Sequence, residues 1–224
     1  MNIQQSSRRI AEIGIIPIIR AADSTEARQA VQAIYAGGMS IVEITMTVPD
    51  CPTVIRDVVR EYGDKILVGA GTVLNYEQAT QCLDAGAEFL VSPGLCSPVL
   101  KAAQARNKLA IPGAMTPTEL ISATNEGALL IKIFPCENLG GPKYIKALKG
   151  PFPGAGLIPT GGVTLANVGD YFAAGSFAVG IGSELADLKA LRAGQASEIT
   201  GKAKALLESV TAALQLQRIS ANRV

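Results

Sequence analysis

The sequence predicts an α/β fold of the (β/α)8 TIM-barrel type, and three observations lead to this class. Eight short apolar runs alternate with helical patterns, at intervals of about 28 residues. Strands that alternate with helices indicate βαβ units and hence a parallel sheet. The length of 224 residues suits one barrel, and no linker or charge run interrupts it, so residues 1–224 are predicted to form a single domain. An open, doubly wound sheet is the alternative.

Each predicted strand is a short apolar run bounded by turn residues. The runs are 15–20, 41–46, 66–72, 89–94, 109–113, 129–135, 157–162 and 177–183. Helices are predicted between them and at both ends, at 3–13, 24–36, 51–62, 76–85, 97–106, from 117, 142–148, from 165 and 196–217. The clearest start signals are Asp23 and the pair Thr116 and Glu119, which has capping-box spacing.

Composition excludes several kinds of site. The chain has no histidine, so acid–base chemistry must use Glu, Asp, Lys, Tyr, Cys or water, and a histidine-rich catalytic zinc site is excluded. A net charge of +1 gives no general attraction to nucleic acid or to an anionic membrane. No apolar run is long enough for a membrane span, and no N-terminal run resembles a secretory signal.

The four cysteines are far apart and form no C-x-x-C motif, as expected of free thiols in a reducing cytoplasm. We therefore expect a cytoplasmic protein with neither metal nor cofactor.

The sixth apolar run contains the most informative residue, Lys132. Strand alternation places Leu130, Lys132 and Phe134 on one face. Burial disfavours the charged form of a lysine, so its pKa should fall well below the ordinary value of about 10.4. A neutral amine can attack a carbonyl and form a Schiff base. A structural lysine paired with a carboxylate is the alternative interpretation.

The second run places Glu43, Thr45 and Thr47 in phase on one face. Glu43 stands between two apolar residues and is predicted to be interior. If it meets Lys132 near the mouth of the barrel, its carboxyl group can move protons for the amine. The alternative is a carboxylate that only neutralises an interior cation.

Two glycine-rich strand ends predict an anion site. Gly161 and Gly162 end the seventh run, and Gly182 and Ser183 end the eighth. The loops after these two strands often bind phosphate in barrels of this type, through backbone N–H groups. The spacing fits neither a P-loop nor a Rossmann fingerprint, and plain turn chemistry is the alternative.

Four further strand-end residues are candidates for substrate binding. Arg20 offers a forked donor to a carboxylate or phosphate, although a surface ion pair would explain it equally well. Thr72 supplies a hydroxyl after a glycine-rich strand end. Pro93 and Phe134 can form the wall of an apolar pocket, or simply belong to the core.

Short motifs along most of the chain, taken in order, resemble a known family. They are Glu43-Ile44-Thr45, Gly69-Ala70-Gly71-Thr72-Val73-Leu74, Ser92-Pro93-Gly94, Ile111-Pro112-Gly113, Lys132-Ile133-Phe134-Pro135, Pro159-Thr160-Gly161-Gly162-Val163 and Gly182-Ser183. This ordered set is similar to the bacterial 2-keto-3-deoxy-6-phosphogluconate (KDPG) aldolases, grouped with the 4-hydroxy-2-oxoglutarate (KHG) aldolases. The similarity runs roughly from Ile15 to Leu185.

The resemblance implies a metal-free class I aldolase in a (β/α)8 barrel, usually a homotrimer, acting on a small phosphorylated keto acid. Its implied roles are Lys132 as Schiff-base lysine, Glu43 as general acid and base, Thr72 at the pyruvate carboxylate, Pro93 and Phe134 in the pocket, and Gly161, Gly162 and Ser183 at the phosphate.

One position departs from the family pattern. Well-known members carry an arginine four residues after the glutamate, where Thr47 stands here, and Arg20 is the obvious substitute. The expected reaction is cleavage of KDPG to pyruvate and D-glyceraldehyde 3-phosphate. The galactonate-derived analogue and KHG are alternative substrates. More distant alternatives are a phosphate-binding isomerase or synthase, and a binding protein without activity.

Overall fold

A computed structural model describes residues 1–221, in which parallel strands alternate with helices. The strands are β1 (Ile15–Ile19), β2 (Ile41–Thr45), β3 (Leu67–Gly71), β4 (Phe89–Val91), β5 (Leu109–Ile111), β6 (Gly113–Ala114), β7 (Leu130–Ile133), β8 (Gly156–Pro159) and β9 (Val179–Ile181). Each predicted strand has a counterpart. The fifth is divided into β5 and β6 at Pro112, whose ring nitrogen cannot donate to a ladder.

All strand pairs are parallel, which confirms the predicted α/β class. One sheet has the order β5-β4-β3-β2-β1-β9 and a second the order β6-β7-β8. An isolated parallel bridge between Thr160 and Gly180 connects the end of β8 with β9. The order follows the chain, and the last strand pairs with the first, without the reversal of a doubly wound sheet.

The helices are α1 (Ile3–Ile13), α2 (Ser24–Ala36), α3 (Cys51–Tyr62), α4 (Tyr76–Asp84), α5 (Ser97–Ala105), α6 (Pro117–Asn125), α7 (Pro142–Lys149), α8 (Val168–Ala173), α9 (Leu188–Arg192) and α10 (Ala196–Ala221). Both predicted caps are present: Asp23 accepts from the N–H of Glu26, and Thr116 and Glu119 form a capping box. The sequence did not predict the short α9. No helix within residues 1–221 is long and apolar enough to cross a membrane.

The core has two parts, because strand side chains alternate between the face of the sheets that packs against the helices and the opposite face. On that opposite face, Ile16, Leu67, Phe89 and Ile158 are among the apolar residues that pack with Ile10 of α1. Gly69 leaves room for the ring of Phe89, since a Cβ there would collide with it. Apolar side chains thus fill the interior on the side of α1, and polar groups are left for the carboxyl ends of the strands.

Candidate active site

Lys132 is buried on β7, where strand pairing sets it beside Gly113 and Ile158. Its side chain is 4% exposed, and Nζ lies 5.0 Å from the centroid of the Phe134 ring. Burial lowers the pKa of Lys132, the carboxyl group of Glu43 opposes this change, and the charge of Arg20 adds to it. No ion pair involves Lys132 in the described part of the chain.

Glu43 is buried on β2, where it is 2% exposed and paired in register with Ile18 and Gly69. Its Oε1 has no hydrogen-bond partner among the described residues. The carboxyl group lies against the backbone of Gly71, where any Cβ would collide with it. Burial raises the pKa of Glu43, while the charges of Lys132 and Arg20 lower it.

The two shifts act on one pair of groups. Burial drives the amine towards its neutral form and the carboxyl towards its protonated form, a combination that provides a nucleophile and a proton donor close together. The ion pair expected of a purely structural lysine is not formed between Glu43 and Lys132. The geometry therefore suits attack on a carbonyl followed by proton transfer.

The hydroxyl of Thr47 is already engaged. Thr45 is buried and donates to the carbonyl of Ile19 at 3.0 Å, and its oxygen lies 2.6 Å from that of Thr47. Because a hydroxyl has one proton, Thr47 must be the donor of this second bond. In this arrangement Thr47 presents only acceptor lone pairs to a ligand, so it does not replace the arginine of the family pattern.

Thr72 follows β3 in a left-handed backbone conformation, with φ of 55°. This region is costly for a β-branched residue, by about 1–3 kcal/mol, and such strain is concentrated at functional sites. Pro93 follows β4, is exposed, and places its carbonyl against Gly113. Thr47, Thr72 and Pro93 thus follow the three adjacent strands β2, β3 and β4.

The remaining predicted residues line one cavity of about 330 Å³, at the ends of β1, β7, β8 and β9. They are Arg20, Phe134, Gly161, Gly162, Gly182 and Ser183. Within residues 1–221, the N–H groups of Gly162, Val163, Ser183 and Glu184 donate to no other group. These four N–H groups lie beside the guanidinium of Arg20, which forms no ion pair with any described residue, so this cavity, called the anion cavity below, can hold an anion.

Sequence reasoning missed two features of this cavity. Asn167 holds the loop, because its side chain accepts from Thr164 N at 2.8 Å and donates to the carbonyl of Gly162 at 2.8 Å. This contact delays α8 to Val168, whereas the sequence predicted a start at 165. An asparagine shortly after a glycine pair is the available signal for such a turn. The second feature is a pair of carboxylates, Glu137 and Glu184, in the lining.

A buried lysine and a buried carboxyl group within parallel strands, beside the anion cavity, form an arrangement that suits chemistry on carbonyl compounds carrying an anionic group. The family model for KDPG and KHG aldolases matches residues 7–202. The chain belongs to this aldolase family.

Individual relatives agree. The chain is 38% identical to a KHG/KDPG aldolase of Escherichia coli K12, over 92% of this chain and 97% of that protein. It is 36% identical to a 2-dehydro-3-deoxy-6-phosphogalactonate aldolase of the same organism, over 91% and 98%. A crystal structure of a KDPG aldolase from Legionella pneumophila, with pyruvate captured as a covalent carbinolamine intermediate, superimposes with a TM-score of 0.83. That structure is 30% identical and covers 90% of this chain and 98% of its own.

Proposed function

We propose that this protein is a class I aldolase that cleaves KDPG to pyruvate and D-glyceraldehyde 3-phosphate through a Schiff base on Lys132. The observation that carries the proposal is the buried amine of Lys132, which lies beside Glu43 and forms no ion pair with any described residue. The carbinolamine captured in the Legionella pneumophila relative supports the same chemistry.

The reaction begins when neutral Lys132 attacks the C2 ketone and forms a carbinolamine. Protonated Glu43 donates to the departing hydroxyl, so that water leaves and an iminium remains. The iminium accepts the electron pair of the C3–C4 bond while the carboxylate of Glu43 takes the proton of the C4 hydroxyl, and the aldehyde leaves. Glu43 then protonates the resulting enamine at C3. Water attacks the iminium and gives a proton to Glu43, and collapse of the carbinolamine releases pyruvate and the free amine.

The two groups of residues at the strand ends suit the two ends of the substrate. Thr72 is proposed to hold the pyruvate carboxylate, with Pro93 and Phe134 as pocket walls. The free N–H groups around Gly162 and Ser183 are proposed to hold the phosphate, in the cavity that also contains Gly161 and Gly182.

Arg20 is proposed to supply the positive charge that Thr47 cannot. It lines the same cavity, and its charge lowers the pKa of both Glu43 and Lys132, so it acts on both ends of the site.

We propose further that residues 1–224 form one domain whose sheets close into an eight-fold barrel. The bridge from Thr160 to Gly180 and the pairing of β9 with β1 support closure. A homotrimer in the cytoplasm is the arrangement we expect from the family resemblance.

Other substrates of the same chemistry remain candidates, because relatives of similar identity include a phosphogalactonate aldolase and a KHG/KDPG aldolase. Side-by-side assays of KDPG, its galactonate-derived analogue and KHG distinguish these substrates. KDPG is expected to give the highest kcat/KM.

The test of the chemistry is borohydride reduction in the presence of pyruvate, followed by intact mass and peptide mapping. We expect one adduct, located on Lys132 and absent from Lys132→Met. The Lys149→Met variant is the matched control and should keep the adduct. Folded wild-type protein without an adduct would refute the Schiff-base proposal and favour an isomerase, a synthase or a binding protein.

A further inference from the structure

The anion cavity contains more negative than positive side chains. Its charged lining residues are Arg20, which follows β1, Glu137, which follows β7, and Glu184, which follows β9. A site dedicated to a phosphate dianion is normally enriched in cations, because the ligand carries up to two negative charges. In this cavity one guanidinium and the backbone N–H groups attract a phosphate, and two carboxylates repel it.

Glu137 is held in place by the neighbouring loop. Its N–H donates to the carbonyl of Gly161 at 3.2 Å, and its side chain lies directly over Gly162. The Oε2 atom is 2.5 Å from the position that a Cβ on Gly162 would occupy. Its carboxylate has no hydrogen bond or ion pair within the described chain. The negative charge therefore stands beside the free N–H of Gly162.

Glu184 brings the second negative charge to the loop after β9. Its own N–H is one of the free donors, so its carboxylate side chain and a backbone anion donor belong to one exposed residue. Lys202 of α10 shares a smaller cavity with Glu184, but it pairs with Asp187 at 3.5 Å. No ion pair in the described chain neutralises Glu184.

We infer that Glu137 and Glu184 are specificity-determining residues that reduce, without reversing, the preference of the anion cavity for a dianionic phosphate over a singly charged or uncharged end on the aldehyde half of the substrate. The inference rests on the proposed aldolase function and refines its substrate class. Repulsion grows with the charge of the ligand, whereas a monoanion keeps the same N–H donors and meets about half the repulsion. The two carboxylates thus weaken the binding of a dianionic ligand more than that of a monoanionic ligand, and they leave the N–H donors accessible.

The first test compares two aldehydes in condensation with pyruvate, D-glyceraldehyde 3-phosphate and unphosphorylated D-glyceraldehyde. The measured quantity is the kcat/KM for the phosphorylated aldehyde divided by the kcat/KM for the unphosphorylated aldehyde. In Glu137→Gln and Glu184→Gln this ratio should rise, by about three- to tenfold for each variant, because one repulsive charge near the phosphate is removed. Glu208→Gln, the same change on the exposed surface of α10, should leave the ratio unchanged.

The second test uses pH, since the second ionisation of a phosphate ester lies near pH 6. The charged groups that face the phosphate are Arg20, Glu137 and Glu184, with Lys202 behind Glu184. In the wild type the ratio should be higher at pH 5.5 than at pH 8, because the monoanion prevails at the lower pH. In the double variant Glu137→Gln/Glu184→Gln, the difference between the ratios at pH 5.5 and pH 8 should become smaller.

The third measurement separates this inference from the proposed function. Inorganic phosphate is titrated into the folded wild-type and variant proteins by calorimetry at pH 8, where no catalysis is needed. Tighter phosphate binding by both variants supports the inference even if pyruvate forms no borohydride adduct. Unchanged or weaker binding in variants with a native circular dichroism spectrum overturns it, and weaker binding would mean that the carboxylates accept hydrogen bonds from the ligand.

Discussion

Two lysines with lowered pKa lie at opposite ends of the strands, and their surroundings differ. Lys149, at the end of α7, donates to the carbonyls of Pro153 and Ala155 at 2.7 and 2.9 Å, just before β8 begins. Lys132 lies within β7, and its amine has no such acceptor among the described residues. Burial lowers the pKa of both lysines. The direction of the pKa shift therefore does not distinguish the two lysines. They differ in that the amine of Lys149 has acceptors and the amine of Lys132 has none within residues 1–221.

The cavities at the two ends repeat this contrast. A cavity of about 320 Å³ near Lys149 is lined mainly by small and apolar residues, including Gly156 and Phe177. The cavity of about 330 Å³ at the other end has free backbone donors and three charged side chains. Volume is therefore similar at the two ends. Lys149, which lines the first cavity, already donates to two carbonyls, whereas the second cavity has backbone N–H groups that donate to no other group within residues 1–221.

The largest expected effect is the difference in activity between variants that lack Lys132 and variants that lack Lys149. Lys132→Met should lower aldol cleavage by at least about 10⁵-fold, because the amine that forms the proposed covalent intermediate is removed. Lys149→Met should keep kcat within about threefold of wild type, because Lys149 only holds a loop. Steady-state kinetics of both variants checks the contrast. Equal losses in the two variants would remove the distinction between reactive and structural lysines.

The same comparison applies to two buried glutamates. Glu26 accepts from Ala22 N at 2.7 Å and pairs with Arg192 at 2.6 Å, whereas Oε1 of Glu43 has no hydrogen-bond partner within residues 1–221. Glu43→Gln should lower kcat by about 10²–10⁴-fold with little loss of stability, because a proton donor is removed. Glu26→Gln should instead lower the melting temperature and leave most of kcat. Single-turnover kinetics and calorimetry of both variants distinguish these outcomes.

The sequence was sufficient to predict that Lys132 and Glu43 are buried within strands, because a single charged residue inside an apolar run is rare and strand periodicity fixes the face on which its side chain lies. The helix starts at Asp23 and Thr116 were also predictable, since capping depends on neighbouring residues alone. The division of the fifth strand follows from Pro112. The sequence contains this proline, but it does not show which hydrogen bond of the sheet the proline interrupts.

Loop geometry limited the rest. Asn167, Glu137 and Glu184 reach the cavity through hydrogen bonds and close contacts between loops that are distant in sequence, and no local pattern encodes these. The sequence predicted only that Thr45 and Thr47 share a face of the strand. Which hydroxyl donates to the other could be assigned only from the hydrogen bond that Thr45 donates to the carbonyl of Ile19.

A smaller effect is expected on stability, with opposite signs for the two lysines. Lys132→Met should raise the free energy of unfolding by about 1 kcal/mol, because an amine without an acceptor is replaced by an apolar side chain. Lys149→Met should lower it by about 1–2 kcal/mol, because two carbonyls lose their donor. Urea denaturation measures both values. The same sign in both variants would contradict the comparison.

The sign of the pH effect follows from linkage. The pKa of Lys132 is lowered in the folded state, so the unfolded chain binds a proton that the native chain does not. This cost to the wild type is present at pH 7 and disappears as pH rises through the ordinary lysine value of about 10.4. The gain from Lys132→Met should therefore be larger at pH 7 than at pH 10.

The smallest expected effect concerns Arg20, whose charge helps to lower the pKa of Lys132. In Arg20→Gln that contribution is lost, so the pKa of Lys132 should rise and less amine should be neutral at a given pH. The rate of borohydride trapping with saturating pyruvate, measured against pH, should shift its ascending limb to higher pH. Arg28→Gln, which removes a surface guanidinium paired with Asp57, is the matched control and should leave the profile unchanged. If the Arg20→Gln profile does not move, the lowered pKa of Lys132 comes from burial alone, and Arg20 acts only on the anion.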